Sequence, residues 1–257
     1  SIDLGEGADN LQFTLDDVNV DTVDVKNVET IEVTVTTDAS TIDFEDTESL
    51  ETIEIEEGTA FNVTISGLRE NVANLLFDAD GFNGSSNGVV FQDVTLEFDA
   101  ANATDDTLNV TFANDGTELD KGDLLEAGTL EADDIEVMNI VAKDGGELTD
   151  DGAGGFEINS IDESSDLTTV TVTADQQFLF GQDTDNKGFD IGDVDPFADG
   201  IANVDGSDVS GAFGASAANN TDDNAVEITG GDDDDILIGG ADQDELVGGE
   251  GADILIG

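Results

Sequence analysis

Apolar and polar residues alternate strictly in short runs along much of the chain, the pattern of strands with one buried face. Val28-Glu29-Thr30-Ile31-Glu32-Val33 recurs 22 residues later as Leu50-Glu51-Thr52-Ile53-Glu54-Ile55. A second alternating run follows each copy, Ile42-Asp43-Phe44 after the first and Phe61-Asn62-Val63-Thr64-Ile65 after the second. Related strands are expected at Leu108 to Phe112, Ile135 to Ile140 and Leu167 to Val172, rich in the Thr, Val and Ile that suit a pleated surface. A repeat of this length fits one rung of a β-solenoid. Residues 90 to 180 are less regular, and a β-sandwich of short strands is the alternative there. Phe44, Phe61, Phe91, Phe98 and Phe112 fall in alternating runs and are expected in the core. One short helix is predicted from Leu68 to Phe77, with Leu68, Val72, Leu75 and Leu76 on one face.

Beyond residue 180 the pattern changes. Residues 181 to 225 are rich in Gly, Asp, Ala and Asn and read as a loop-rich connector. The chain then tightens into three nine-residue repeats in register. They are Gly230-Gly231-Asp232-Asp233-Asp234-Asp235-Ile236-Leu237-Ile238, Gly239-Gly240-Ala241-Asp242-Gln243-Asp244-Glu245-Leu246-Val247 and Gly248-Gly249-Glu250-Gly251-Ala252-Asp253-Ile254-Leu255-Ile256. Periodicity of this kind means stacked units. The expected fold class is all-β: a parallel β-solenoid or β-roll with a β-sandwich-like middle as the variant and very little helix. Three regions are expected: a strand-rich repeat domain (1–180), the connector (181–225) and the terminal roll (226–257).

Charge sharpens this reading. Asp and Glu number 64 against 5 Lys and Arg, a formal net charge of -59 over 257 residues. So few cations exclude a nucleic-acid binder and argue against docking on an anionic membrane. Self-repulsion on this scale also opposes a compact state. The patterned apolar content is too high for simple disorder, so bound cations are the leading explanation for a fold. There is no Cys, hence no disulfide and no thiolate site. No stretch approaches the ~20 apolar residues of a membrane span. The sequence opens without a signal peptide and stops one residue into a new repeat, and is expected to be part of something longer.

Each repeat position has a physical task. The glycines are expected to permit tight turns whose carbonyls point inward. The sixth residue adds a carboxylate, and Leu237, Leu246 and Leu255 bury in a narrow core. Ca²⁺ takes six to eight oxygens in a forgiving geometry, which stacked turns can supply. The leading candidate ligands are Asp235, Asp244 and Asp253 with the carbonyls of Gly230, Gly231, Gly239, Gly248 and Gly249; Asp232, Asp233, Gly240, Asp242 and Gly251 of the same turns are further candidate metal-site residues. Asp233 and Asp242 stand at the fourth position, where the third repeat has Gly251, and Ala241 stands at the third position of the second repeat; Asp tolerates left-handed angles better than most residues. A degenerate copy near the N-terminus, Gly5-Glu6-Gly7-Ala8-Asp9-Asn10-Leu11, makes Asp9 a weaker candidate. Asp183-Thr184-Asp185-Asn186-Lys187-Gly188 has the outline of an EF-hand loop, but Lys187 and Val194 fall where oxygens are needed; looser coordination through Asp190, Asp193 or Asp195 is the residual reading. Runs such as Asp105-Asp106 and Asp133-Asp134 read as solvated faces.

The nonapeptides resemble the RTX family, the calcium-binding β-roll repeats of type I-secreted bacterial proteins. The resemblance covers residues 230 to 257 and implies that two nonapeptides make one turn, so that repeats one and three stack. More loosely, the acidic Thr/Val-rich rungs resemble calcium-dependent S-layer proteins of Gram-negative bacteria and large RTX adhesins. That likeness implies export, an extracellular or cell-surface location and self-assembly into a homo-oligomer or two-dimensional array; cell-surface polysaccharide would be met through regions outside this sequence.

Catalysis has little support. Without His or Cys the usual triads and general bases are missing, and no Trp or Tyr is present to stack on a sugar. Three function classes are expected: a self-assembling building block, a calcium-rigidified extender of an adhesin, and the non-catalytic module of a secreted hydrolase or epimerase. An ice-binding solenoid is set aside because no Thr-x-Thr column recurs at fixed spacing.

Overall fold

The alternating runs form strands that wind through two parallel sheets. The computed structural model describes residues 2–15, 20–45, 48–56, 61–69, 72–79, 89–98, 106–114, 124–132, 134–144, 155–162, 167–181, 197, 200–218, 225–241 and 243–257. The chain begins with β1 (Ile2–Asp3), β2 (Asn10–Leu15), β3 (Val20–Lys26), β4 (Thr30–Val35), β5 (Ser40–Glu45), β6 (Thr52–Glu56), β7 (Val63–Leu68) and β8 (Asn74–Asp78). The middle holds β9 (Val89–Phe91), β10 (Val94–Phe98), β11 (Thr107–Asn114), β12 (Leu124–Ala132), β13 (Val137–Asp144), β14 (Gly155–Asp162), β15 (Thr169–Ala174) and β16 (Gln177–Phe180). The last third holds β17 (Asn203–Val209), β18 (Phe213–Ser216), β19 (Glu227–Thr229), β20 (Ile236–Ile238), β21 (Glu245–Val247) and β22 (Ile254–Ile256).

Sheet 1 runs β1-β3-β5-β7-β10-β12-β14-β16-β18-β20-β22, with β9 also on β12; sheet 2 runs β2-β4-β6-β8-β11-β13-β15-β17-β19-β21. Every described pairing is parallel, so the molecule is an all-β solenoid in which each rung gives one strand to each sheet, save that β9 and β10 both lie against β12. Ile31 lies on Ile53, the 22-residue spacing read from the sequence. At the C-terminal end Ile228 lies on Leu246 and Leu237 on Leu255, so the rung shortens to 18 residues and repeats one and three do stack.

Between the sheets runs one continuous apolar core. Alternation puts Ile31, Val33 and Val35 of β4 inside while Thr30, Glu32 and Thr34 face out. Phe44, Phe91, Phe98 and Phe112 are buried as expected, and Phe61 packs against the core. Phe112 stacks on Phe77 at 5.0 Å and meets Phe156 and Phe178, building an aromatic spine through the middle rungs.

Four expectations are corrected. Of the three repeat leucines expected in the core, Leu237 is buried and Leu246 packs against the core, but Leu255, on the outermost strand of sheet 1, is 46% exposed. The residues expected as a helix from Leu68 to Phe77 instead close β7 and form most of β8, and no helix occurs among the described residues. Leu68, Val72 and Leu75 do share the core, but across a corner rather than along a helix face; Leu76 points outward. The middle is no separate sandwich, because β10 to β16 pair in parallel like their neighbours. Finally, the region expected as a connector contains β17 and β18, which continue both sheets into the terminal roll.

Candidate metal centre

The chain passes from sheet 2 to sheet 1 at one corner of the roll and back at the other. Asp235 immediately precedes β20 and Asp253 precedes β22, one rung above it. Asp235 is 1% exposed. Its Oδ1 accepts the Phe213 N–H and its Oδ2 the Gly231 N–H, both at 2.7 Å. The Asp253 Oδ1 accepts the Asp235 N–H at 3.2 Å. Each acid thus ties its own turn to the rung below and keeps lone pairs for a further partner.

The glycines crowd these carboxylates. A side-chain carbon on Gly230 would collide with the Asp235 Oδ2 and lie 2.5 Å from the Gly248 carbonyl oxygen. The same carbon on Gly248 would collide with the Asp253 Oδ2. Left-handed angles are needed at Gly249 (φ 95°) and Gly251 (φ 112°), whereas Asp233 stays out of that region. The substitution of Asp for Gly at the fourth position of the first repeat therefore costs no backbone strain. Asp232 and Asp233 are exposed and Gly240 is half-buried.

Asp244 precedes β21 at the opposite corner, apart from the Asp235–Asp253 pair. Its Oδ1 accepts the Val226 N–H at 3.1 Å, while its Oδ2 is buried with no hydrogen-bond partner. Gly239 leaves the room this oxygen occupies, since a side-chain carbon there would sit 2.5 Å away. Asp242 lies outside the described residues, as do Asp183 to Gly188, Asp190, Asp193, Asp195, Asp105 and Asp133.

Asp9 holds the same place before β2 that Asp244 holds before β21, and its Oδ2 is likewise buried without a partner. Gly5 (φ 101°) and Gly7 (φ 151°) reproduce the left-handed pair of Gly249 and Gly251 at the same spacing. The degenerate N-terminal copy is therefore a turn of the same kind.

Among the described residues, no ion pair is made by Asp9, Asp235, Asp244 or Asp253. Lys187 is the last cation in the sequence. Burial, opposed by the N–H groups of Phe213 and Gly231 but reinforced by Asp253 and Asp233, raises the Asp235 carboxyl above the usual carboxylate range. An orphaned buried oxygen, a glycine-lined space and an all-oxygen donor set fit a hard cation such as Ca²⁺. Asp235 and Asp253 with the carbonyls of Gly230, Gly231, Gly248 and Gly249 would hold one ion; Asp244 with Gly239 would serve the other corner.

Several residues that matter here escaped the sequence reading. Asp234 accepts the Ala252 N–H at 2.7 Å, and the carbonyls of Gly206 and Val209, from the supposed connector, crowd Gly231. Two acids elsewhere in the solenoid play the same part as Asp244, each immediately before a strand of sheet 2. Glu29 accepts the Asp9 N–H and Glu136 the Asp106 N–H, each at 2.7 Å. The acid of the Val-Glu-Thr-Ile repeat was the visible signal. Separately, carboxylate oxygens of Glu32, Glu54 and Glu56 converge within 4.8 Å on the outer face of sheet 2. Burial first, then a hydrogen bond with Asp78 and the charges of Asp78, Glu32 and Glu56, push the Glu54 carboxyl up to about 7.

No protein-family model, curated protein or solved structure matches this chain. No helix of the described residues is long and apolar enough to cross a membrane.

Proposed function

We propose that this chain is a calcium-dependent extracellular structural protein, a building block that folds around Ca²⁺ and assembles into a cell-surface layer or matrix. The observation that carries the reading is the stranded negative charge: Asp235 is 1% exposed, and Asp244 keeps a buried oxygen with no partner. Hydrogen bonds within the turns leave that charge in place, and a divalent ion would neutralise it. The RTX resemblance of the three nonapeptides supports the same ion and type I export. At -59, the chain would stay expanded where calcium is scarce and fold where it is plentiful.

A rod of continuous sheets with every rung stacked on the next also suits a calcium-rigidified extender of an adhesin. One experiment separates the readings. Chelator-treated protein is titrated with calcium while circular dichroism, light scattering and electron microscopy are followed together. β structure appearing with ordered sheets or fibres is the expected outcome. A chain that folds but remains monomeric is an extender or a module of a larger enzyme. A chain already folded in chelator would overturn the calcium reading.

A further inference from the structure

The outer face of sheet 2 changes character midway along the rod. Near its N-terminal end it carries Glu32, Glu54 and Glu56. Yet the outward residues from Thr107 to Ala113 on β11, and from Val137 to Val141 on β13, include no charge. They are all partly exposed. In a chain with 64 carboxylates this is a conspicuous gap. Flanking it are Asp78 on β8 and the exposed Lys143 on β13.

Register makes the patch self-complementary. Asn74, Asn109 and Asn139 lie side by side on β8, β11 and β13; so do Leu76, Thr111 and Val141, and so do Asp78, Ala113 and Lys143. We propose that two copies of this chain meet face to face here, about a two-fold axis running along β11. That operation exchanges β8 with β13. Asp78 then faces Lys143 of the second copy, Leu76 faces its Val141, and β11 faces itself. Neighbouring strands are ~4.8 Å apart, so both charged residues sit one strand from the axis and two ion pairs form per dimer.

The polar groups of the patch are prepared for desolvation. Asn109 donates to the Ala73 carbonyl at 3.1 Å and to the Asn74 Oδ1 at 3.3 Å, and Asn139 donates to the Asn109 Oδ1 at 3.2 Å. These amides already have partners along the ladder and leave little unmet when water is expelled. Acids resume beyond the patch at Glu54 and Glu56 on one side and Asp175 on the other, which confines the contact to roughly 400 Å² per copy. That is below the ~800 Å² of a tight complex, so the dimer is weak alone and gains strength as one contact of a repeating assembly. The proposal rests on the building-block reading and names a surface it uses.

The full chain has no Cys, so a single introduced thiol reports contacts cleanly. Thr111→Cys lies on the axis strand, and Thr95→Cys, outward on sheet 1, is the control. In calcium-loaded protein under mild oxidation, the first should give a disulfide-linked dimer and the second should not. Sedimentation should show Lys143→Asp weakening the dimer about tenfold or more, with Asp78→Lys added to it restoring association. Equal cross-linking at both positions, or no rescue by the reversed pair, overturns the interface. If calcium drives assembly without a Thr111→Cys cross-link, this interface fails while the building-block reading stands. A chain that stays monomeric at every concentration removes both.

Discussion

At the residue scale, the proposed calcium dependence turns on one atom of Asp244. Its Oδ2 is buried without a donor, so in the absence of a cation its charge is a penalty. Asp244→Asn should therefore raise the melting temperature in chelator and lower it in calcium, with a several-fold higher calcium midpoint; paired thermal melts would show the crossing. Glu54 makes the opposite case, since protonation relieves it. Its carboxyl is raised from 4.5 to about 7 in the folded state. The folded chain thus binds the extra proton between those values, and the stability from it is full below 4.5 and lost as the pH rises through 7. Glu54→Gln should raise the melting temperature at pH 8 and change it little at pH 4. The sixth-position acids were legible in the sequence because they recur every nine residues. The crowding around Glu54 was not, because Glu32, Glu54 and Asp78 belong to three different rungs.

At the scale of the strand and rung, alternation was a faithful guide wherever side chains were large. It predicted the stacking of Thr30 to Val33 on Thr52 to Ile55. It failed where spacing was ambiguous: Leu68, Val72 and Leu75 match a helical face, but the chain turns a corner between them and only the core they reach is shared. It failed again at β18, whose Phe213-Gly214-Ala215-Ser216 is buried at every position, so that small residues hide the period. A rung can depart from the 22-residue repeat and still stack in register, as Val110 on Ile140 shows, while shifts of a single residue fall inside the pairings of β3 with β5, β7 with β10 and β15 with β17. The aromatic spine makes these long rungs one unit. Phe112→Ala removes contacts with Phe77, Phe156 and Phe178 and should cost about 3–5 kcal/mol, measured by denaturant unfolding in saturating calcium.

Across the whole molecule, a charge of -59 is laid along a ladder whose interior, among the described residues, is apolar apart from Ser40, Glu157, Gln176, Ser216 and Asp235. The sequence announced both the charge and the repeat, but not that front and rear repeats share one pair of sheets. That depended on β17 to β19 bridging a stretch without clear periodicity. This continuity has a mechanical side. The first and last rungs lie at opposite ends of a ladder whose hydrogen bonds run from rung to rung. Tension between those ends falls on one rung at a time, and each 22-residue rung that yields releases roughly 75 Å of thread. Such a molecule lengthens in steps, dissipating work by peeling while the rungs not yet reached stay whole.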